Sequence, residues 1–287
     1  MIIPFLMLLG TQLHRFLPLP LLHWIADIFG LFWYIFAVRR RKIVKENLEG
    51  LGIDFDGQTV KKLFKNFVHI YADLSYLPNL KSYMLDSFIT VKGIDNLQKG
   101  INERNGVILV GGHVGAWEIA GPYIASRGYR IFSVAESEGL GMEFFRFYLK
   151  YRELYGAKIL RLEDRNLTLK LLRLLKNGSV LTLIGDRDIT GTGRFVEYNG
   201  RKIKVPVGPA FLSWRTGVPL CIGYMVRKGN GKYSGWIGEP IYPEDFGGIK
   251  ELLDYIATQL IEQTIKINPE FWFVFERVWK NEDTVCQ

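Results

Sequence analysis

The chain has 287 residues, 48% of them hydrophobic and 14% aromatic, and 37 Lys+Arg against 29 Asp+Glu give a formal charge of +8. So much apolar side chain excludes an intrinsically disordered chain, because its burial offsets the entropy of ordering the backbone. Cys221 and Cys286 are the only cysteines, too few for a disulfide framework or a thiolate metal site and compatible with a reducing compartment.

Residues 21–38, LLHWIADIFGLFWYIFAV, form an apolar run that as a helix measures about 27 Å at ~1.5 Å per residue, close to the thickness of a bilayer core. His23 and Asp27 interrupt it near its start, and Pro4, Pro18 and Pro20 break the stretch upstream. Arg39, Arg40, Arg41, Lys42 and Lys45 follow at once, and basic flanks mark the cytoplasmic side of a membrane segment and attract anionic lipid. The expected organisation is a membrane anchor over residues 1–45 and one continuous α/β body over residues 46–287. A buried helical hairpin with a solvated basic end is the competing reading. Zinc-finger spacing, RNP-like aromatics and a basic heptad are all missing, so the charge does not point to nucleic acid.

From Lys42 to about Tyr83 the apolar spacing reads as helices, with His69 inside VKKLFKNFVHIYADLSYL. After Phe88 the pattern changes. FITVKG, GVILVGG, YRIFSVA, AKILRL, SVLTLIGD and PLCIGYMVR are short β-branched runs separated by helical segments, which predicts a mixed, mostly parallel sheet flanked by helices. NLTLKLLRLLKNG reads as an amphipathic helix stopped at Gly178, and a last amphipathic helix is expected from about Gly248 to Ile267. The strand SVLTLIG ends at Gly185-Asp186-Arg187-Asp188, and ligands of open α/β sheets bind at such C-terminal strand ends.

The most informative stretch is GVILVGGHVGAWEIAG, residues 106–121. A buried strand runs through Gly111-Gly112 to His113, then through Gly115 into a helix that carries Glu118. With His113 in the turn and Glu118 in the first helical turn, the carboxylate is expected to accept the imidazole Nδ1 proton, leaving the ring to act as a general base on an alcohol. A histidine and a glutamate that only cap a helix would give the same spacing. A G-x-S-x-G elbow is lacking, so a covalent acyl-enzyme is not indicated. Backbone N–H groups from Gly112 to Gly115 are candidate oxyanion donors.

GGHVGAWEIAG resembles the H-x4-[DE] block of the glycerolipid-type acyltransferases, and in particular the late lipid A biosynthesis acyltransferases. GSVLTLIGDRDITGTGRFVEYNGRKIKVPVGPAFLSWRTGVPL is similar to that family's second block, and NPEFWFVFERVWK to its closing aromatic segment. Ala116, Arg187 and Tyr198-Asn199-Gly200 depart from the usual pattern. The resemblance implies transfer of a fatty acyl group from acyl carrier protein, or from acyl-CoA, to a glycolipid hydroxyl at the cytoplasmic face of the inner membrane, with no further cofactor and no metal. It implies His113 as base with Glu118 as its partner, Asp186 as part of the second acidic block, and Arg152 as a cation in the helix before Tyr155-Gly156. Gly112, Gly115 and Trp117 in the first block, and Arg187, Asp188, Arg194, Lys202 and Lys204 in the second, are the expected substrate-binding residues, the cations serving a phosphorylated head group or the acidic carrier protein.

Two other classes remain open at this point. Asp186-Arg187-Asp188 resembles the D-x-D turn of a metal-dependent glycosyltransferase, and a non-catalytic lipid-binding membrane module would explain the apolar N-terminus and the charge without chemistry.

Overall fold

The structure, a computed structural model, describes residues 17–137 and 141–280. The first 16 residues of the expected anchor, and Cys286, lie outside the described residues. Helices α1 (Leu19–Phe36), α2 (Val38–Gly50) and α3 (Gly57–Tyr76) come first. The Asp56 carboxylate caps α3 by accepting the Thr59 N–H at 2.7 Å. Strand β1 (Ile89–Lys92) then leads through α4 (Asp95–Arg104), β2 (Val107–Gly111), α5 (Trp117–Ser126), β3 (Ile131–Ala135), α6 (Met142–Arg152), β4 (Lys158–Arg161), α7 (Leu167–Lys176) and β5 (Val180–Ile184). A hairpin of β6 (Arg194–Tyr198) and β7 (Arg201–Val205), helix α8 (Gly208–Thr216), strands β8 (Leu220–Gly229) and β9 (Lys232–Ile237), helix α9 (Ile249–Leu260) and the short β10 (Trp279–Lys280) complete the chain.

Seven strands form one sheet in the order β1-β9-β8-β2-β5-β3-β4, parallel throughout except for the β8–β9 pair. The expected mixed, mostly parallel sheet with flanking helices is therefore present, and each of the six β-branched runs is a strand of it. Strand β2 is buried along VILV, as an interior parallel strand covered on both faces must be. Helix α7 ends at Lys176, and Gly178 two residues on takes φ +74°, the left-handed turn that stops a helix cheaply only at glycine. The last amphipathic helix stops at Leu260 and continues as one wider turn over Ile261–Ile265.

Strands β10, β7 and β6 make a separate three-stranded antiparallel sheet that the sequence reading did not separate from its motif. The signal was available: Asn199 and Gly200 sit at the hairpin tip with φ 49° and 70°, the Asn-Gly two-residue turn that matches strand twist.

Helix α1 is the one helix among the described residues long and apolar enough to cross a membrane, yet it does not stand apart from the body. Leu22, Ala26, Gly30 and Trp33 are buried, one stripe at helical spacing, and α1 packs along α3 so closely that a Cβ on Gly30 would lie 2.7 Å from Lys65 Cα. Polar pairs cross the same seam: His23 Nε2 lies 2.5 Å from Asp73 Oδ1, and Lys65 Nζ lies 2.6 Å from Asp27 Oδ1. On the opposite side Trp24, Ile28, Phe32, Ile35 and Phe36 are exposed.

Candidate active site

Sheet register brings the site together. Gly111 at the end of β2 pairs with Ile184 at the end of β5, and the Gly185 N–H still donates to the Gly111 carbonyl at 2.8 Å. Two residues beyond each strand stand His113 and Asp186, which are far apart in sequence and level in the sheet. The imidazole Nδ1 of His113 lies 2.8 Å from Asp186 Oδ1, and the His113 backbone N–H donates to Asp186 Oδ2 at 2.8 Å. The Trp272 indole N–H donates to the same Oδ2 at 2.9 Å. Burial works to raise the Asp186 carboxyl pKa, but the charge and hydrogen bonds of His113, with the indole bond, outweigh it and hold the group below the usual carboxylate range. Asp186 is buried and His113 is part-exposed; Nε2 has no protein hydrogen-bond partner among the described residues.

The expected His113–Glu118 pair is not formed, and Asp186 occupies that position instead. Glu118 lies in the first turn of α5 and is directed toward α6, where its Oε2 pairs with Arg152 Nε at 2.6 Å and its Oε1 accepts the Trp117 indole N–H at 2.7 Å. Five residues on a helix correspond to a rotation of about 140°, and the buried arginine decides which way the carboxylate faces. Arg152 is itself held over the Tyr148 ring, 5.3 Å from its centroid. Its own ionisation is opposed by burial but favoured by the Glu118 charge, which keeps its pKa above that of a free guanidinium. Trp117 stands edge-on to His113 with ring centroids 5.4 Å apart.

The oxyanion donors expected along the turn are partly committed elsewhere. The Gly115 N–H donates to the Phe271 carbonyl at 2.8 Å, as the His113 N–H does to Asp186. Gly115 has φ +68°, and a Cβ there would lie 2.0 Å from the Met225 carbonyl oxygen, so only glycine fits the turn. Gly112 is a milder case, its Cβ position lying 3.3 Å from Asp186 Oδ2.

Beside this turn is an apolar cleft whose space, counted with its mouth open to solvent, is about 760 Å³. Helix α5 roofs it through Ala120, Gly121 and Ile124, and Gly112, Val114 and Trp117 wall it next to His113. Its floor runs from Val91 of β1 to Ser133 of β3 and so crosses six neighbouring strands, roughly 24 Å at ~4.8 Å per strand. Arg152 also lines it.

The second block is divided between partners. Asp188 turns away from Asp186: it accepts the N–H groups of Thr190 at 3.1 Å and Gly193 at 2.9 Å and pairs with Lys204 at 3.2 Å. Burial opposes its ionisation, but these donors outweigh it and its pKa is lowered. The two carboxylates of the D-x-D turn in the alternative reading thus face different neighbours, and no group of acidic, histidine or cysteine side chains able to hold a metal ion is found among the described residues. Arg187 pairs with Glu276 at 2.5 Å, and its Nε is buried without a hydrogen-bond partner among the described residues. Arg194 and Lys202 are exposed on the β6–β7 hairpin. Trp272, which the sequence reading placed in an aromatic segment without a role, is the residue it missed; its burial beside Asp186 leaves no trace in local spacing.

A phosphatidylinositol mannoside acyltransferase of Mycobacterium tuberculosis (strain CDC 1551 / Oshkosh) is 29% identical over 194 residues, 66% of this chain and 59% of the relative. The match thus spans less than two thirds of that protein's own length. A phosphatidylinositol mannoside acyltransferase of Mycolicibacterium smegmatis is 24% identical over 231 residues, 79% of this chain and 74% of the relative. The solved structure of a 1-acyl-sn-glycerophosphate acyltransferase from Thermotoga maritima is similar at 15% identity with a TM-score of 0.41, over 85% of this chain and 97% of that one. Residues 1–281 match the bacterial lipid A biosynthesis acyltransferase family, and to that family the chain belongs.

Proposed function

We propose that this protein transfers a fatty acyl group from a thioester donor, acyl carrier protein or acyl-CoA, to a hydroxyl of a glycolipid at a membrane surface. The observation that carries the reading is an imidazole paired through Nδ1 with a buried carboxylate, set beside an apolar cleft whose lining extends over six strands. The chain lies in the cavity with its thioester carbonyl near His113. Nε2 takes the proton of the acceptor hydroxyl as the oxygen attacks the carbonyl carbon, and Asp186 stabilises the imidazolium. Collapse of the tetrahedral intermediate expels the carrier thiolate, which takes the proton back from His113. Arg152, held by Glu118, is the cation closest in role to an oxyanion stabiliser. Direct transfer is favoured over an acyl-enzyme because Cys221 is buried and its thiol pKa is pushed up to about 12 by burial, far from the thiolate a nucleophile needs.

The acceptor is a glycolipid hydroxyl, and the names of the relatives favour a mannosylated inositol phospholipid over a lipid A precursor. The outer face of α1, with Trp24, Ile28 and Phe32 exposed above a buried inner face, and the basic run that follows support a helix lying in the cytoplasmic leaflet of the inner membrane.

The test is transfer of a labelled acyl chain from acyl carrier protein, and separately from coenzyme A, into extracted membrane glycolipid by the purified protein. Transfer that falls ~100-fold or more in His113→Ala, the range for losing a general base, supports the reading; retained transfer overturns it. Chelator-insensitive transfer separates it from a metal-dependent glycosyltransferase, and mass spectrometry of membrane lipids after deletion identifies acceptor and chain length.

A further inference from the structure

We propose that Trp272 is a positioning residue for the His113–Asp186 pair, its indole N–H fixing the carboxylate so that Oδ1 faces the imidazole Nδ1 and Nε2 is left as the basic nitrogen. The kinetic part of this inference rests on the acyl-transfer reading; the structural part does not. Among the described residues Asp186 Oδ1 meets only the imidazole, whereas Oδ2 takes both the His113 backbone N–H and the indole N–H at 2.8 and 2.9 Å. Trp272 is 1% exposed and Asp186 3%, so bulk water does not substitute for the bond. An indole is a donor only and carries no charge. It orients the carboxylate without neutralising it, as an arginine or lysine in the same place would.

The segment that carries Trp272 also grips the His113 turn. Phe273 N–H donates to the His113 carbonyl at 2.8 Å, the Phe271 carbonyl accepts from Gly115 N–H at 2.8 Å, and Val114 bridges to Trp272 itself. One short stretch, anchored after Pro269, thereby sets the backbone on both sides of His113 and the rotation of the acid behind it. The terminal torsion of an aspartate is broad and two-fold, so without the second donor on Oδ2 the carboxylate rotates more freely. The Nδ1–H tautomer, the one that leaves Nε2 unprotonated, then loses its preference. A fully buried indole needs an acceptor in any case; here the acceptor is the acid of the pair.

The experiment uses the full chain with Trp272→Phe and, at the same position, site-specific β-(3-benzothienyl)alanine, which keeps the bicyclic shape and replaces N–H by sulfur. The expected result for the benzothienyl protein is a modest fall in thermal stability, an unchanged KM for the acyl donor, a roughly tenfold lower kcat, the scale of losing one hydrogen bond to a charged group, and ¹⁵N signals of His113 that change from a single Nδ1–H tautomer to a mixture. Wild-type kcat with a single tautomer overturns the proposal, and so does a change confined to stability. Should Trp272→Phe fail to fold, the isosteric variant still decides. Should the wild type show no His113-dependent transfer, the acyl-transfer reading fails while the tautomer measurement still tests the positioning role.

Discussion

Two buried aspartates among the described residues accept from histidines, and their surroundings give them opposite uses. Asp186 takes the His113 ring, a backbone N–H and a neutral indole. Asp73 on α3 takes His23 at 2.5 Å, Arg227 Nε at 2.9 Å and the Tyr233 hydroxyl at 2.5 Å. Burial opposes the ionisation of Asp73, but His23, Arg227 and Tyr233 outweigh it and its pKa is lowered. Arg227 also brings Nη2 to 3.1 Å from His23 Nδ1, so the arginine already compensates the carboxylate and both imidazole nitrogens are engaged. At His113 no arginine or lysine pairs with the acid among the described residues, one nitrogen faces away from the carboxylate, and an apolar cleft lies alongside. A His–Asp pair becomes a base only where the acid's charge is left for the imidazolium; where an arginine takes it, the pair becomes a clamp, here joining α1 to the body.

The comparison predicts unlike responses to like substitutions. Asp73→Ala leaves the part-buried Arg227 without its carboxylate and with His23 as its remaining partner, and a broken buried pair costs about 3–5 kcal/mol; urea unfolding is expected to show this, while the specific activity of the folded fraction is retained. Asp186→Asn is expected to do the reverse, lowering acyl transfer about 100-fold with a smaller change in unfolding midpoint. If both substitutions act mainly on stability, the distinction drawn here is broken.

A third prediction concerns His69, which faces the same seam and lies 3.3 Å from Asp27. Burial lowers its pKa from 6.5 to about 4, with Arg227 acting in the same direction and Asp27 against it. The unfolded chain therefore binds a proton on this ring that the folded chain does not between those two values. Stability is full above about pH 6.5 and is lost as pH falls toward 4, by about 2 kcal/mol between pH 7 and pH 5. His69→Gln is expected to flatten that slope in urea titrations. The smallest effect is sought in the cavity: Gly121 has open space where a Cβ would stand, and Gly121→Leu is expected to shift preference toward shorter acyl donors severalfold, near 1 kcal/mol per methylene excluded. Unchanged chain preference would place the acyl group elsewhere.

The fold was legible where local chemistry was repetitive. β-Branched runs became strands, and the leucines of α7 with the left-handed Gly178 marked a helix and its stop. The site was legible in its base and not in its acid. His113 stands out because glycines surround it at a strand end, but local spacing points to Glu118 five residues away as its partner, whereas the acid that meets it comes from another strand. Arg152 claims Glu118 across the α5–α6 contact, and no spacing rule within one helix contains that arginine. The same holds for Trp272, delivered by a segment more than 150 residues further on.

By itself the sequence determined the strand and helix periods, the apolar run over residues 21–38 with its basic flank, and the glycine-lined turn that carries His113, because each depends on residues within one or two turns of each other. Tertiary structure alone decided which acid meets the imidazole, which is compensated by arginine, and that α1 lies against α3. Those outcomes depend on sheet register and on burial, which bring distant groups within hydrogen-bond range and set how strongly their charges act.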